Sequence, residues 1–351
     1  MSATCTPPSP AHPSAEPRRL RRQAIVGLLM LPLTLLPFFA YFNLTQQGAL
    51  VWERIKVTLS PPKLPTLSAT DLAWTREHGP SYTGAVALLL YHGIGSGADG
   101  DGGYSVSPER FAEQLATLRA AGMHTVTARQ VAAAIAGHAT LPSNAVMISF
   151  DDGRSDAMMY ADPLLRQAGM QATMFVIADA ASDPGIYYVS WDGLDRYAAT
   201  GRWELESHSA GSHFEWNVGG RLLPALTSIE HGETIDEYRQ RVSEDLARAA
   251  DEIGSVTGQR PVAFAYPFGA YGTGYDDRTN DPRLGPILHD VVASDYQIAF
   301  DQDDQGSWGL TTCGADPYHL HRLEVGDWSG RELLSRIDLA AAAFQGQGCA
   351  A

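Results

Sequence analysis

The chain has 351 residues, of which 44% are hydrophobic, and a formal net charge of −15 at pH 7. This length and composition allow one large domain or two medium ones with a substantial core, and they exclude a largely disordered protein. The acidic balance argues against a nucleic-acid partner, because contacts to phosphates normally require a basic surface.

The N-terminal region departs from this acidic character. Four arginines lie between positions 18 and 22, and residues 23–52 contain no charged side chain. About 20 apolar residues cross a bilayer as a helix, and an arginine cluster on one flank indicates the cytoplasmic side. We therefore predict a cytoplasmic tail at 1–22 and a transmembrane signal anchor at 23–44, with the rest of a single-pass membrane protein outside the cytoplasm. A cleaved signal peptide and a buried core helix are the alternatives.

Downstream of the anchor, the sequence predicts a stalk followed by one folded domain. The stalk covers 45–83, because its central part is rich in proline and small polar residues. The domain covers 84–345. Its apolar runs have the character of buried strands at 86–90, 146–150, 172–177 and 262–269, and helical periodicity is found at 108–121, 157–168 and 234–256. Such alternation predicts parallel strands covered by helices.

Two adjacent carboxylates, Asp151 and Asp152, follow the apolar run VMISF. Neighbouring side chains of an extended chain point to opposite sides, so the two need not have the same role. In sheets and barrels of this class the C-terminal ends of the strands face the active site. The alternative is an aspartate turn or a helix N-cap.

Two histidines, His208 and His213, flank a short polar segment, SAGS. On a regular helix, five residues would leave the two rings about 140° apart, which is too far to share a metal. A loop that bends at Gly211 could bring them together. Two imidazoles and a carboxylate are a common ligand set of catalytic divalent ions. Two exposed loop histidines remain the alternative.

In order and spacing, these motifs resemble those of the polysaccharide deacetylases, the NodB homology domain of carbohydrate esterase family 4. SFDDG at 149–153 is similar to the first family motif, and the histidine pair to the second, with the extra intervening residue of the branch that includes poly-N-acetylglucosamine deacetylases. PFG at 267–269 is similar to the end of the third. The resemblance runs from about 86 to 325. It implies an α/β fold, a distorted (β/α) barrel with fewer than eight strands, here preceded by the one predicted transmembrane helix.

The resemblance also implies roles for individual residues. Asp152, His208 and His213 would bind a divalent metal, zinc with cobalt or nickel as alternatives, and Asp151 would be the general base. Pro267 and Phe268 would form the oxyanion and substrate loop. The implied reaction is metal-dependent hydrolysis of N-acetyl groups, a C–N bond other than a peptide bond, in an extracytoplasmic aminosugar polysaccharide.

Departures from the family pattern leave other functions open. Many members have an arginine, which orients the base, where this chain has Ala265, and the fourth and fifth motifs have no clear match. His92 and His321 are predicted to line the cleft, and His319 or His321 could protonate the leaving amine; a structural role is the alternative for each.

The alternative functions are a non-catalytic carbohydrate-binding surface protein, an O-deacetylase or another C–N hydrolase. The predicted partners are an N-acetylated polysaccharide and, through the N-terminal helix, the membrane. Two of the three cysteines, Cys313 and Cys349, could pair outside the cytoplasm.

Overall fold

The computed structural model describes residues 23, 30, 35–37, 40–41, 45–95, 104–272, 278–302 and 308–344. Most of the predicted anchor, 23–44, therefore lies outside the described residues. Among the helices that the structure describes, none is both long and apolar enough to cross a bilayer.

The chain divides into two compact units, 1–53 and 54–351. In the first, the described residues are helical except Thr45. The second contains the catalytic motifs, and its strands and helices are given next in chain order.

The strands are β1 (Ala85–Tyr91), β2 (Gly93–Ile94), β3 (Ser105–Val106), β4 (His124–Thr125), β5 (Ala145–Phe150), β6 (Ala172–Val176), β7 (Trp203–Ser207), β8 (Glu215–Val218), β9 (Arg221–Pro224), β10 (Ala263–Ala265), β11 (Ile298–Gln302), β12 (Thr311–Thr312) and β13 (Leu320–Glu324). The helices are α1 (Gln46–Leu59), which begins in the first unit, α2 (Ala69–Glu77), α3 (Pro108–Ala120), α4 (Ala128–Ile135), α5 (Ser155–Ala168), α6 (Ala178–Ser182), α7 (Trp191–Ala198), α8 (Ile235–Thr257), α9 (Leu284–Asp295) and α10 (Gly330–Phe344). Short 3-10 turns cover Ala225–Thr227 and Pro267–Gly269.

Seven parallel strands close into a barrel in the order β1, β5, β6, β7, β10, β11, β13, with β13 returning to β1. The prediction of a (β/α) barrel with fewer than eight strands is thus confirmed. Strand β12 adds to β1 in antiparallel orientation, and β4 adds to the start of β5. Strands β8 and β9 form a hairpin directly after the histidine loop.

The barrel interior is filled by alternate residues of its strands. Leu88 pairs in register with Met147, and Ala265 with Phe300, and all four belong to one buried apolar cluster. The intervening residues, such as Leu89, pack outward against the helices. This two-sided burial explains the continuous apolar runs of these strands.

The predicted stalk is more closely packed than its composition suggests. It contains α1 and α2. Its prolines keep residues 60–68, between these helices, out of helical conformation. Leu64 nevertheless packs against the core, and the side-chain amide of Gln167 binds the backbone at Pro62 and Leu64. The apolar residue between the prolines ties this segment to the domain, so a free stalk is not what the structure shows here.

Candidate active site

The two aspartates follow β5 in a sharp turn. Asp152 (φ 72°) and Gly153 (φ 76°) both adopt the left-handed conformation, which L-residues other than glycine rarely adopt. The next helix has Arg154 at its N-cap position, with no side-chain cap hydrogen bond. The helix-cap alternative for the aspartates is therefore wrong, and both carboxylates are available to the cleft.

The histidine loop brings its two imidazoles together, as predicted. His208 follows β7 directly, and the two ring centroids are 4.8 Å apart. Ser209 (φ 70°) makes the bend in the left-handed conformation. His208 is buried, whereas the side chain of His213 is 23% exposed and accessible from the cleft.

Three side chains offer their ligand atoms to one point. Asp152 Oδ1 lies 3.5 Å from His208 Nε2 and 3.4 Å from His213 Nε2. Within the part of the chain that the structure describes, this oxygen is buried and has no hydrogen-bond partner. A buried carboxylate oxygen facing two ring nitrogens fits a divalent cation with one carboxylate and two imidazole ligands.

His208 is prepared for this role by its surroundings. Its Nδ1 lies 2.8 Å from the carbonyl oxygen of Ala265, which can only accept, so Nδ1 carries the hydrogen and Nε2 presents a lone pair. Burial lowers the pKa of His208 to about 4, although the charge of Asp151 opposes this shift. The ring is therefore neutral at neutral pH, which a metal ligand requires.

Asp151 forms a fully buried, bidentate ion pair with Arg322. Arg322 Nη1 donates to Oδ1 at 2.7 Å and Nη2 to Oδ2 at 2.8 Å. Burial alone would raise the pKa of Asp151, but the guanidinium outweighs it and the pKa is lowered to about 2. The carboxylate is thus ionised across the neutral range, and its Oδ2 lies 3.9 Å from His208 Nε2.

Sequence reasoning missed Arg322. It lies on β13 in register with Gln302, faces the barrel interior, and its Cζ is 5.1 Å from the ring of Phe175. Where the family pattern has an arginine beside the third motif this chain has Ala265, and the aspartate is paired from a different strand. The signal was available: an arginine at an inward position of a buried strand needs a buried anion.

The PFG turn closes one side of the cleft. Phe268 has φ 60°, and its carbonyl accepts a hydrogen bond from Arg278 Nη2 at 2.7 Å. Its ring centroid lies 4.6 Å from that of His213. Pro267 is buried at the first position of the turn and sets its direction. Phe268 therefore lines the cleft, and the oxyanion role of the turn stays a prediction.

The cleft has a volume of about 290 Å³ and is lined in part by both aspartates, both histidines and Phe268. A larger cavity of about 710 Å³ lies beside Gly84 and Cys313, and none of the predicted site residues lines it. This larger cavity is therefore separate from the candidate active site. Cys313 is disulfide-bonded, and its partner lies outside the described residues.

Of the two histidines predicted to line the cleft, the structure places only His92 there. It follows β1, lines the cavity, and its Nδ1 is buried without a hydrogen-bond partner among the described residues. His321 lies on the outer face of β13, because its neighbour Arg322 faces inward, and it contacts Asp301 Oδ1 at 2.7 Å. The expected cleft position of His321 is therefore wrong. His319 packs against Tyr271, away from the metal ligands.

Comparison with known proteins agrees with this geometry. A family model for polysaccharide deacetylases matches residues 138–281, which contain both aspartates, both histidines and the PFG turn. The match covers 144 of the 351 residues, so the chain is similar to the polysaccharide deacetylases over the segment that contains these motifs. Among its relatives, the poly-beta-1,6-N-acetyl-D-glucosamine N-deacetylase of Escherichia coli K12 is 27% identical over 209 residues, 54% of this chain and 31% of that protein. The putative polysaccharide deacetylase YxkH of Bacillus subtilis is 23% identical over 57% of this chain and 61% of its own length. The chain thus spans about a third of the length of the Escherichia coli relative.

Solved structures share the fold of this chain. A de-N-acetylase from Aggregatibacter actinomycetemcomitans superposes with a TM-score of 0.59 at 22% identity, covering 71% of this chain and 99% of that one. IcaB from Ammonifex degensii superposes with a TM-score of 0.55 at 23% identity, covering 72% and 96%. At these identities the similarity concerns the fold.

Proposed function

We propose that this protein is a polysaccharide deacetylase that hydrolyses N-acetyl groups of an aminosugar polysaccharide outside the cytoplasm. The names of its Escherichia coli and Staphylococcus epidermidis relatives point to poly-β-1,6-N-acetylglucosamine as the substrate class. One observation carries the proposal: an ionised, immobilised carboxylate, Asp151, shares a cleft with three convergent ligand atoms. Hydrolysis of an unactivated amide needs both a base and an electrophile.

Asp152, His208 and His213 would hold a divalent cation, with zinc, cobalt or nickel as candidates. When bound, such an ion polarises the acetamide carbonyl and acidifies a nearby water. The neutral state of His208 and the unpartnered oxygen of Asp152 support this assignment.

Asp151 would accept a proton from the attacking water. As the water oxygen bonds to the acetyl carbonyl carbon, its proton passes to the carboxylate. Arg322 keeps this carboxylate ionised and fixes both of its oxygens, so the direction of proton transfer is set before substrate binds. The low pKa of Asp151 makes it a weak base. A weak base would suffice here, because the bound cation would lower the pKa of the attacking water.

The leaving nitrogen needs a proton when the C–N bond breaks, and His92 would supply it. Its ring lines the same cleft as Asp151, and its Nδ1 has no hydrogen-bond partner among the described residues. The backbone N–H of Phe268 would donate to the oxyanion. The products are acetic acid, which ionises to acetate, and the free amine. The proton taken up by Asp151 would return through water to His92, so that both residues regain their starting states.

The non-catalytic alternative loses much of its support. It rested on a missing base-orienting arginine and on the unclear fifth motif. Arg322 fills the first role from another strand, and His92 occupies the cleft where an acid is needed. An O-deacetylase would use the same site but would not need an acid to protonate a leaving amine. Activity on O-acetylated and N-acetylated sugars therefore distinguishes the two functions.

Acetate release by the purified full chain tests the proposal. After chelation, Zn²⁺ or Co²⁺ should restore acetate release from β-1,6-linked N-acetylglucosamine oligomers, and His213→Ala should abolish it. Asp162→Asn is a matched control, because Asp162 pairs with Arg202 away from the cleft. Release from O-acetylated sugars alone, or full activity of the metal-free protein, would contradict the proposal.

Membrane attachment through residues 23–44 is a separate part of the proposal. It is supported by the uncharged run and the arginines that precede it. The full chain should sediment with membranes after carbonate washing, and external protease should cleave the catalytic unit in spheroplasts. Recovery of the chain in the soluble fraction would contradict membrane attachment and leave the enzymatic proposal intact.

A further inference from the structure

The loop between the two metal-ligand histidines has a backbone that its own sequence does not favour. Ser209 adopts φ 70°, which L-residues rarely do, and Gly211 has no room for a side chain because a Cβ would collide with a carboxylate oxygen of Asp179. A loop of this shape needs support from outside to stay formed.

That support comes from one carboxylate on α8. Asp245 Oδ2 accepts a hydrogen bond from Ala210 N at 3.0 Å, and Oδ1 accepts one from Gly211 N at 2.8 Å. Both oxygens are thus used on two successive peptide groups, midway between His208 and His213.

The other side of the loop is held by the start of α6. Ala178 N donates to the carbonyl of Ser209 at 3.2 Å, and Asp179 N to that of Ala210 at 2.9 Å. Ala210 is fully buried against Ala249, which lies one turn after Asp245 on α8. The loop is therefore clamped between two helices, and Asp245 provides the charged half of the clamp.

We propose that Asp245 is a positioning residue that sets the metal affinity of this site by holding the histidine loop in its ligand-converging shape. The inference rests on the proposed metal site. Asp245 binds the loop through the loop's backbone N–H groups, so its effect passes through the placement of the imidazoles. Residues that orient metal ligands typically change metal affinity 10- to 100-fold.

The test measures binding of Co²⁺ and Zn²⁺ alone to the full chain, by chelator competition and by the visible absorption of bound Co²⁺. Asp245→Asn keeps one acceptor oxygen but turns an amide group toward a backbone N–H. We expect its Kd for Co²⁺ to rise about 10- to 100-fold, with a changed Co²⁺ spectrum. The unfolding midpoint of the metal-free protein should stay close to that of the parent.

Glu244→Gln is the matched control. Glu244 is the exposed neighbour of Asp245 on α8, and among the described residues its side chain binds only Gln240. Asp245→Glu is a second variant for the case that Asp245→Asn does not fold; the longer side chain keeps the charge but displaces the carboxylate, so weaker binding is again expected. A parental Kd in the folded Asp245 variants, or an equal loss in Glu244→Gln, would overturn the inference.

Failure of the proposed function gives a different result. If the parent chain does not bind Co²⁺, or if His213→Ala binds it equally well, the metal site itself is wrong. If the parent binds Co²⁺ through His213 and the Asp245 variants bind it equally well, only the role of Asp245 is wrong.

Discussion

Two buried carboxylates inside the same barrel have opposite protonation behaviour. Asp151, at the C-terminal end of β5, has its pKa lowered to about 2, whereas burial raises the pKa of Glu206 well above its usual range. Glu206 faces the same interior, because it pairs in register with Phe175. Both are almost completely excluded from solvent.

The difference lies in their partners. Asp151 receives two hydrogen bonds from a buried guanidinium, whereas Glu206 Oε2 receives two from the backbone, Val262 N and Ala263 N, both at 2.7 Å. Glu206 Oε1 has no hydrogen bond among the described residues. Arg129 Nη2 lies 3.8 Å from Glu206 Oε1, beyond hydrogen-bond distance, and the charge of Glu204 adds to the effect of burial, so the pKa of Glu206 is raised. The buried guanidinium bound to both oxygens of Asp151 lowers the pKa of that group. The two buried carboxylates of the barrel therefore have pKa shifts of opposite direction.

The largest effect is expected for Asp151→Asn. It removes the proposed base and leaves Arg322 buried without its counter-ion. Turnover should fall by about 10²- to 10⁴-fold, and the free energy of unfolding by about 3–5 kcal/mol. Acetate release and urea denaturation measure the two losses. Asp162→Asn changes a partly exposed ion pair, so it should lower turnover and the free energy of unfolding much less. Equal losses in the two variants would show that the Asp151 pair has no special role.

Arg322→Lys tests whether the guanidinium geometry matters beyond its charge. A lysine cannot bind both oxygens of Asp151 in the same plane, so we expect about 10²-fold lower kcat/KM. Arg322→Met removes the charge as well, and burial then raises the pKa of Asp151. The acid limb of its pH–rate profile should move to higher pH, more than in Arg322→Lys. Identical acid limbs in the parent and Arg322→Met would show that Arg322 does not control the base.

Glu206 should make the free energy of unfolding depend on pH in the opposite direction to Asp151, and Glu206→Gln tests this. A carboxyl group whose folded-state pKa is raised contributes stability that is present below its unfolded value, near 4.5, and is lost as pH rises through the folded pKa. The amide cannot ionise, so the variant should gain stability relative to the parent between pH 5 and pH 8. For Asp151 the stabilising contribution is present above its unfolded value of 3.8 and is lost as pH falls through about 2. A stability difference that is constant from pH 5 to pH 8 would mean that Glu206 does not titrate differently on folding.

The smallest effect is expected for His321→Asn, which extends the comparison to a third buried carboxylate, Asp301. Its partner His321 is half exposed on the outer face of β13, away from the cleft. The free energy of unfolding should fall by about 1–3 kcal/mol, because the buried Asp301 loses a hydrogen-bond partner, and acetate release should stay within about twofold. A large loss of turnover, comparable to that expected for Asp151→Asn, would return His321 to the active site.

The sequence was sufficient for features that depend on local pattern. The apolar runs located β1, β5, β6 and β10, and the helix predicted at 234–256 is Ile235–Thr257. The metal ligands were predicted because their residue types and order resemble a family. Their convergence depends on a loop whose bend at Ser209 is not visible in the sequence.

What the sequence did not predict depends on long-range register. Arg322 and Asp151 are 171 residues apart and meet only because β13 and β5 both flank β1. The same register decides that Arg322 faces inward and His321 outward, which reversed their expected importance. The packing of Leu64 on the core likewise depends on Gln167, about a hundred residues away.

The central claim is that Asp151 is a base distinct from the metal ligands. Metal content and acetate release measured on the same preparation of Asp151→Asn test it most directly. The account predicts that the variant binds Zn²⁺ or Co²⁺ in the same proportion as the parent chain and releases almost no acetate from N-acetylglucosamine oligomers. Parental turnover in the metal-loaded variant would contradict it, and so would loss of the metal together with the activity.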